Sequence, residues 1–353
     1  MKIQDLPTTL TETIRRGVVI PAHPLALTED RKLDEQRQRA LTRYYIDAGA
    51  GGVAVGVHTT QFEIREPKVG LFEPVLKLAS ETVNHWSEKS GQEIFKVAGV
   101  CGKTAQATSE AEFAVEAGYH AGLLSLSAMK DETIPAMVEH CRAVADIIPV
   151  VGFYLQPAVG GRVLPFQFWR EFSEIENIIA IKMAPFNRYQ TIDVVRAVCE
   201  AGRADDIALY TGNDDNIIND LLTEYHFGGR SARIVGGLLG HWACWTQKAV
   251  EQLETAHRIA ESAKPVPAEL LSLNIAVTDS NAAFFDSANA FAGCIAGIHE
   301  VLRRQGLIKG IWCLNPNEVM SPGQQKEIDR VYAAYPHLND DEFVRSNIDR
   351  WLN

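Results

Sequence analysis

The chain has 353 residues, of which 46% are apolar and only 22% are charged, a composition typical of a well-packed globular protein. Its 34 lysines and arginines are outnumbered by 45 aspartates and glutamates, which gives a formal net charge of −11. Because no basic block interrupts this acidity, the composition argues against nucleic acid or an anionic membrane as a partner.

The amino-terminal residues Met1–Asp5 contain no apolar segment of the kind that a secretory signal needs. No run of about 18 apolar residues occurs anywhere in the chain, so no membrane span is expected. The cysteines are widely spaced, with no Cys-x-x-Cys pair, and are expected to be reduced thiols. These features predict a cytoplasmic protein.

One unit recurs from residue 17 onward: a short apolar run, a turn and a helix-like segment. The apolar runs that we predict as strands are Gly17–Ala22, Gly52–Val57, Ile94–Val100, Gly122–Leu126, Val150–Leu155, Ile178–Met183, Ile207–Thr211 and Ile234–Leu239. Strands and helices that alternate in this way over about 250 residues indicate a TIM (β/α)8 barrel, here residues 1–264. A doubly wound open sheet is the alternative, although no glycine-rich phosphate turn follows the first strand.

Residues 265–353 carry further helical patterns and no strand pattern. The predicted helices are Ala268–Ala276, Ala282–Gln305, Gly323–Ala334 and Asp340–Leu352, with a loop at Leu307–Pro322. We therefore predict a C-terminal helical extension that packs on the barrel and has no separate function.

A lysine interrupts the apolar run Ile178–Pro185. Burial disfavours the charged form of Lys182, and a neutral amine is a nucleophile toward carbonyl carbon, as in Schiff-base enzymes. The alternative is a structural lysine whose stem packs while its head reaches water.

Active sites of TIM barrels lie at the carboxyl ends of the strands, so we compared what each strand end carries. The fifth strand ends in Tyr154, and a phenol beside Lys182 is able to relay the protons that imine formation needs. The turn after the second strand, Gly56–Gln61, offers hydroxyls, an imidazole and backbone amides that suit a substrate carboxylate.

Lys182, Tyr154 and the residues around them resemble the motifs of a known protein family. From about Gly17 to about Pro336 the chain resembles the dihydrodipicolinate synthase / N-acetylneuraminate lyase family of class I, Schiff-base aldolases, as a divergent member. The shared motifs are Tyr-x-x-Pro at Tyr154, Ile-Lys at Lys182 and the segment Thr211–Asp215. The resemblance implies Lys182 as the Schiff-base lysine for a 2-oxo acid such as pyruvate and Tyr154 as the relay phenol. It also implies a lyase without metal or cofactor, acting on a 2-oxo acid and an aldehyde as a homotetramer or dimer.

The chain departs from the family pattern at several positions. Gly56-Val57-His58-Thr59-Thr60 replaces the usual Gly-Thr-Thr-Gly-Glu, so His58, Thr59 and Thr60 are all candidates for the carboxylate. Leu239 lies where the family directs a backbone carbonyl at the substrate. Val159 replaces the arginine of the dihydrodipicolinate synthases, with Arg162 nearby but displaced, which indicates a different acceptor.

Several alternatives remain open from the sequence. A keto-sugar-acid hydratase or dehydratase would use the same lysine, and the changed turn is compatible with a catalytically silent sensor or scaffold. Asp214, Asp215 and Asp220 suggest a metal site, but aspartates that open a helix are more often caps. Because no His-x-His or His-Glu-x-x-His spacing occurs, we predict no metal.

Overall fold

A computed structural model describes residues 1–262 and 264–353, and parallel strands form its central barrel. The barrel strands are β1 (Val19–Pro21), β2 (Gly52–Val55), β3 (Phe95–Val100), β4 (Ala121–Leu124), β5 (Val150–Leu155), β6 (Ile178–Ala184) and β7 (Ala208–Thr211), followed, after β8 (Glu224–Phe227), by β9 (Arg230–Leu239). β1 pairs with β9, and a parallel bridge between Ala22 and Ala54 joins β1 to β2. The predicted TIM barrel is confirmed. β8 lies outside the barrel and forms an antiparallel hairpin with β9.

Helices surround the barrel and continue beyond it. They are α1 (Thr8–Arg16), α2 (Glu35–Asp47), α3 (Phe72–Ser90), α4 (Thr104–Glu116), α5 (Ile134–Ala145), α6 (Phe166–Phe172), α7 (Arg188–Glu200), α8 (Ile217–Leu222), α9 (Thr246–Ser262), α10 (Glu269–Phe285), α11 (Cys294–Arg304), α12 (Gln324–Ala334) and α13 (Asp341–Leu352). In the described part of the chain, none of them combines the length and apolarity that a bilayer span requires.

The strands are buried on both faces and separate two apolar clusters. The inner cluster fills the barrel and includes Phe153 and Ile179, whereas the outer cluster lies between the strands and the helices and includes Tyr154 and Met183. Neighbouring residues such as Phe153 and Tyr154 therefore belong to different clusters, as the two-residue period of a β-strand requires, with an exception at Ile179 and Ala180 of β6, which both join the inner cluster. Which cluster a side chain joins decides whether it can reach a site inside the barrel.

The amino-terminal helix α1 closes the barrel from below. Leu10 and Ile14 belong to the inner cluster, and the chain passes from α1 directly into the start of β1. The Tyr210 hydroxyl of β7 donates to the Ile14 carbonyl at 2.9 Å and accepts from the Val18 amide at 3.2 Å. The repeating pattern begins only at residue 17, and α1 was not predicted from the sequence.

The region after residue 265 is helical as predicted, with one difference. The predicted break between Ala276 and Ala282 lies inside α10, and the predicted helix Ala282–Gln305 is interrupted instead, because the chain turns between α10 and α11. Asp286, Ala290 and Phe291 have positive φ angles there, and the Asp286 carboxylate accepts from the amide of Gly293 at 3.0 Å. This turn brings the start of α11 back to the carboxyl ends of the barrel strands.

Candidate active site

A cavity opens at the carboxyl ends of the strands, where the loops after β2, β3, β5, β6, β7 and β9 meet. Its polar lining consists of His58, Thr59, Cys101, Ser125, Gln156, Lys182, Asp214 and Cys294. Aromatic side chains form much of the remaining wall: Phe62, Phe153, Phe186, Phe285 and Phe291.

Lys182 lies inside the barrel and lines this cavity. The residue is 9% exposed, and its Nζ lies 4.5 Å from the ring centroid of Phe153 on β5. Burial lowers the pKa of the amine, and the negative charge of Asp214 acts in the opposite direction. A lowered pKa increases the fraction of neutral, nucleophilic amine near neutral pH.

Gly212 leaves room for the Lys182 side chain. A Cβ atom added at Gly212 would lie 2.6 Å from Cε of Lys182 and 2.9 Å from Cβ of Ala184, too close for carbon atoms in contact. The amide of Gly212 donates to the carbonyl of Met183 at 2.6 Å, which holds the loop after β7 against β6. The lysine and the loop after β7 therefore pack as one unit.

Tyr154 faces away from Lys182, which contradicts its predicted role as the relay phenol. Its side chain joins the outer cluster, with the ring 5.4 Å from that of Trp169 between centroids. The hydroxyl accepts a hydrogen bond from the Leu164 amide at 3.1 Å, and burial raises the pKa of the phenol. The aromatic ring beside Lys182 belongs to Phe153, which has no proton to transfer.

A register shift between β5 and β6 explains this reversal. Val150 pairs with Ile178, and continuing that register would pair Tyr154 with Lys182. Instead the register shifts by one residue after Val150, so that Phe153 pairs with Lys182. The extra residue lies in β6, where Ile179 and Ala180 both join the inner cluster. This shift exchanges the faces of the rest of β6, so that Lys182 points inward beside Phe153, while Tyr154 keeps its outward place in the regular alternation of β5.

The turn after β2 brings only part of the predicted carboxylate site to the cavity. His58 and Thr59 line the cavity, whereas Thr60 is fully buried behind the turn. The Thr60 hydroxyl accepts from the amide of Gly56 at 3.0 Å and donates to the carbonyl of His23 at 2.7 Å. Its bonds stabilise the turn, and the structure does not bring Thr60 to the cavity with His58 and Thr59.

The other two candidates in the turn differ in their free hydrogen-bonding capacity. The Thr59 hydroxyl donates to the carbonyl of Ala22 at 2.8 Å, which leaves it only lone pairs to offer. Burial, and then the charge of Lys182, lower the pKa of His58 to about 4, so its imidazole is neutral at neutral pH. A neutral imidazole still has one N–H donor for a carboxylate.

Arg65 fixes the strand ends beside this turn. Its guanidinium donates to the carbonyls of Gly56 at 3.0 Å and Gly99 at 2.9 Å, the one just after β2 and the other within β3. It also forms a bidentate ion pair with Glu110 of α4, with distances from 3.0 to 3.1 Å. Both side chains of the pair are largely buried, at 11% and 9% exposure.

Leu239 does not contact the cavity. It is fully buried, and its carbonyl accepts from the Ala22 amide at 3.1 Å in the pairing of β9 with β1. Gly240, the next residue, lines the cavity instead. The Leu239 carbonyl is thus engaged in the sheet, and its predicted substrate contact stays a prediction.

Asp214 is a buried carboxylate that the sequence analysis assigned to helix capping. It lines the cavity, and its Oδ1 accepts from the backbone amide of His241 at 3.0 Å. Burial raises the pKa of Asp214, and the charge of Lys182 opposes this shift. The signal for this proximity was already in the sequence, since β6 and β7 are consecutive strands and their carboxyl ends are neighbours in a barrel.

Part of the cavity wall comes from the C-terminal extension. Phe285 at the end of α10, Phe291 in the following turn and Cys294 at the start of α11 all line the cavity. The Phe186 and Phe291 rings meet edge to face, 5.8 Å apart between centroids. The extension was predicted to have no separate function, and periodicity alone gave no signal that it reaches the site.

Comparison with protein families adds independent information. A profile of the Dihydrodipicolinate synthetase family matches residues 16–277. A 4-hydroxy-tetrahydrodipicolinate synthase from Aromatoleum aromaticum is 31% identical over 201 residues, 56% of this chain and 62% of that protein. The chain thus matches about three fifths of the length of that relative.

Solved structures show the same fold at low sequence identity. An N-acetylneuraminate lyase from Fusobacterium nucleatum superposes with a TM-score of 0.70 at 16% identity, covering 93% of this chain and 100% of the lyase. A chloride-inhibited dihydrodipicolinate synthase from Acinetobacter baumannii, in complex with pyruvate, gives a TM-score of 0.71 at 18% identity, covering 91% and 98% of the two chains.

Proposed function

The chain belongs to the Dihydrodipicolinate synthetase family, and on that premise we propose that it is a lyase that forms a Schiff base between Lys182 and a 2-oxo acid such as pyruvate. The observation that carries the proposal is the buried amine of Lys182 in a cavity at the carboxyl ends of the strands. A family neighbour that was solved with pyruvate bound supports the choice of ligand.

The proposed chemistry needs only the amine, the substrate and protons. The neutral amine attacks the carbonyl carbon, a C–N bond forms, and the carbonyl oxygen takes up a proton. The resulting hydroxyl leaves as water, and an iminium remains. The iminium withdraws electrons, so the adjacent carbon loses a proton or breaks its bond to an aldehyde fragment.

We assign the carboxylate of the 2-oxo acid to the turn after β2. Of the turn side chains His58 and Thr59 that line the cavity, His58 has a hydrogen-bond donor to spare, since Thr59 uses its hydroxyl hydrogen within the protein. His58→Phe should raise the pyruvate concentration needed for half-maximal trapping by about 10-fold or more, the value of one hydrogen bond to a charged group. An unchanged concentration dependence would exclude this assignment.

We propose that the aldehyde partner is apolar and has no carboxylate. Val159 lines the cavity, and Arg162 is engaged elsewhere, donating to the carbonyls of Met129 at 2.9 Å and Glu132 at 3.1 Å. Within the described residues, the cavity lining contains no arginine. Benzaldehyde should therefore condense with pyruvate faster than succinic semialdehyde does, as measured by product mass, and the reverse order would refute the proposal.

Borohydride trapping tests the Schiff base directly. The protein is incubated with pyruvate and sodium borohydride, and the labelled residue is located by peptide mapping. We expect one pyruvate-derived adduct on Lys182 and none in Lys182→Ala. An unmodified protein across a panel of 2-oxo acids would refute the proposed function.

Lys96 provides a matched control for this experiment. It is 5% exposed, and burial lowers its pKa to about 8, but it points out of the barrel and donates to Ser80 at 3.0 Å and Asn84 at 2.8 Å. Lys96→Met should trap pyruvate at the parent rate. Labelling of Lys96 in the parent protein would show that a lowered pKa suffices without the cavity.

A further inference from the structure

Imine chemistry at Lys182 needs a group that exchanges protons with the substrate. The carbinolamine must lose water, and the iminium must lose a proton from its neighbouring carbon, before a new bond forms there. Tyr154 lies on the other face of β5, and Phe153 occupies the position beside the amine. If Lys182 has the function proposed above, then another cavity side chain performs this transfer.

Four other side chains in the described cavity lining are titratable, namely His58, Cys101, Asp214 and Cys294, and they differ in how well they suit proton transfer. Burial raises the pKa of Cys101 to about 11 and that of Cys294 well above its ordinary value, so both thiols keep their protons. The pKa of His58 is lowered to about 4, which makes its imidazole a weak base. Burial moves the pKa of the Asp214 carboxyl upward, toward the range in which a group both accepts and returns a proton near neutral pH.

The position of Asp214 agrees with such a role. Asp214 follows β7, the strand next to β6, and Lys182 pairs in register with Tyr210 of β7. Gly212 packs against the Lys182 stem, two residues before Asp214, and both Gly212 and Asp214 line the cavity. The His241 amide fixes Asp214 through Oδ1, which leaves Oδ2 to meet the substrate.

We propose that Asp214 is a catalytic residue that transfers protons to and from the substrate carried by Lys182. Its carboxylate accepts the proton released from the carbon next to the iminium, and the electron pair of that C–H bond forms the enamine. In the return step the carboxyl group gives the proton back to the same carbon. The carbinolamine step uses it as the acid that protonates the departing hydroxyl, so that water leaves.

Exchange of the pyruvate methyl hydrogens for deuterium tests the proposal. In deuterium oxide each cycle of enamine formation and reversal replaces one hydrogen, which NMR follows without knowledge of the natural aldehyde. Asp214→Asn retains the size of the side chain and an acceptor for the His241 amide but has no titratable proton. We expect its exchange rate to fall by about 100-fold to 10,000-fold, and exchange at the parent rate would overturn the proposal.

A second variant separates a catalytic role from a structural one. Asp214→Ala removes the carboxyl group and leaves a space that formate is able to enter. Formate in the buffer should restore part of the exchange in this variant and have no effect on the parent protein. Absence of rescue in a folded Asp214→Ala protein, as judged by circular dichroism, would count against proton transfer by this residue.

Control variants and trapping distinguish failure of this inference from failure of the proposed function. Asp215→Asn changes the adjacent exposed carboxylate, and Tyr154→Phe removes the outward phenol, so both should exchange at the parent rate. If Tyr154→Phe instead loses exchange, the relay belongs to the phenol and not to Asp214. If the parent protein itself neither traps nor exchanges pyruvate, the Schiff base at Lys182 is refuted.

Discussion

Replacing Arg65 by methionine should lower the free energy of unfolding by about 3–5 kcal/mol, the cost of removing one partner from a buried ion pair. The substitution leaves the Glu110 carboxylate largely buried without its cation. It also deprives the carbonyls of Gly56 and Gly99 of their donors. Glu110 retains bonds from the Cys101 amide at 3.0 Å and from the Gln106 side chain at 2.8 Å, and these neutral donors do not replace the guanidinium.

The measurement is urea denaturation followed by tryptophan fluorescence and circular dichroism. The double variant Arg65→Met/Glu110→Met removes both charges, and we expect it to be more stable than Arg65→Met alone, because no buried charge is left unpaired. A double variant that loses the sum of the two single effects would refute this reasoning.

An exposed pair of similar geometry provides the control. Arg330 contacts both carboxylate oxygens of Asp279, at 2.7 and 2.8 Å, but the two side chains are 45% and 30% exposed. Arg330→Met should cost about 1 kcal/mol or less, since water compensates both charges. If the two arginine variants lose equal stability, burial is not the source of the effect at Arg65.

Three further outcomes follow from the structure. Gly212→Ala should slow trapping by about 100-fold by displacing the Lys182 amine, and a parent-like rate would contradict the close packing. Burial lowers the pKa of His23 from 6.5 to about 4, so the folded state favours the neutral imidazole. The stability that this neutral form contributes is complete above pH 6.5 and is lost as the pH falls toward 4. His23→Gln should remove up to about 3 kcal/mol of that pH dependence, and an unchanged dependence would contradict it. Tyr154→Phe should cost about 1–3 kcal/mol by leaving the Leu164 amide unpaired, and an unchanged denaturation midpoint would contradict it.

The barrel was predictable because its signal is local and repeated. Each apolar run, such as Ile178–Met183, predicted a strand that the structure contains, and the C-terminal patterns predicted helices. Lys182 was predictable as a buried residue because apolar neighbours on both sides leave its strand little contact with water. These predictions needed no knowledge of which side chains meet.

The direction in which the Tyr154 side chain points was not predictable from a local pattern. Its Tyr-x-x-Pro motif resembles that of the family, but a register shift of one residue after Val150 decides which face of β5 meets the lysine. Such a shift depends on the pairing of two strands, and neither strand's sequence specifies it alone. Asp214 differs from Tyr154, since the consecutive order of β6 and β7 already indicated that their carboxyl ends are neighbours, and only its assignment to a cap hid this.

Predicting that the C-terminal extension supplies aromatic side chains to the cavity required information from residues even farther apart in the sequence. The turn between α10 and α11 relies on non-glycine residues with positive φ, among them Ala290, where composition gives no warning. A helical pattern continues through this segment, so the sequence predicted one helix. The turn carries Phe291 to the cavity, and this contact emerges only from the packed structure.

The amino-terminal helix has a consequence for the acidity of a distant group. Leu10 and Ile14 pack against the inner cluster at the base of the barrel, so α1 shields that end from water. A chain beginning at Gly17 would retain every residue that lines the cavity, yet hydration from below should return the Lys182 ammonium toward ordinary basicity. A design that moves the strands and their loops into another scaffold would therefore keep Lys182 but lose its lowered pKa. To retain that pKa, the design must also include a helix that covers the amino-terminal end of the barrel.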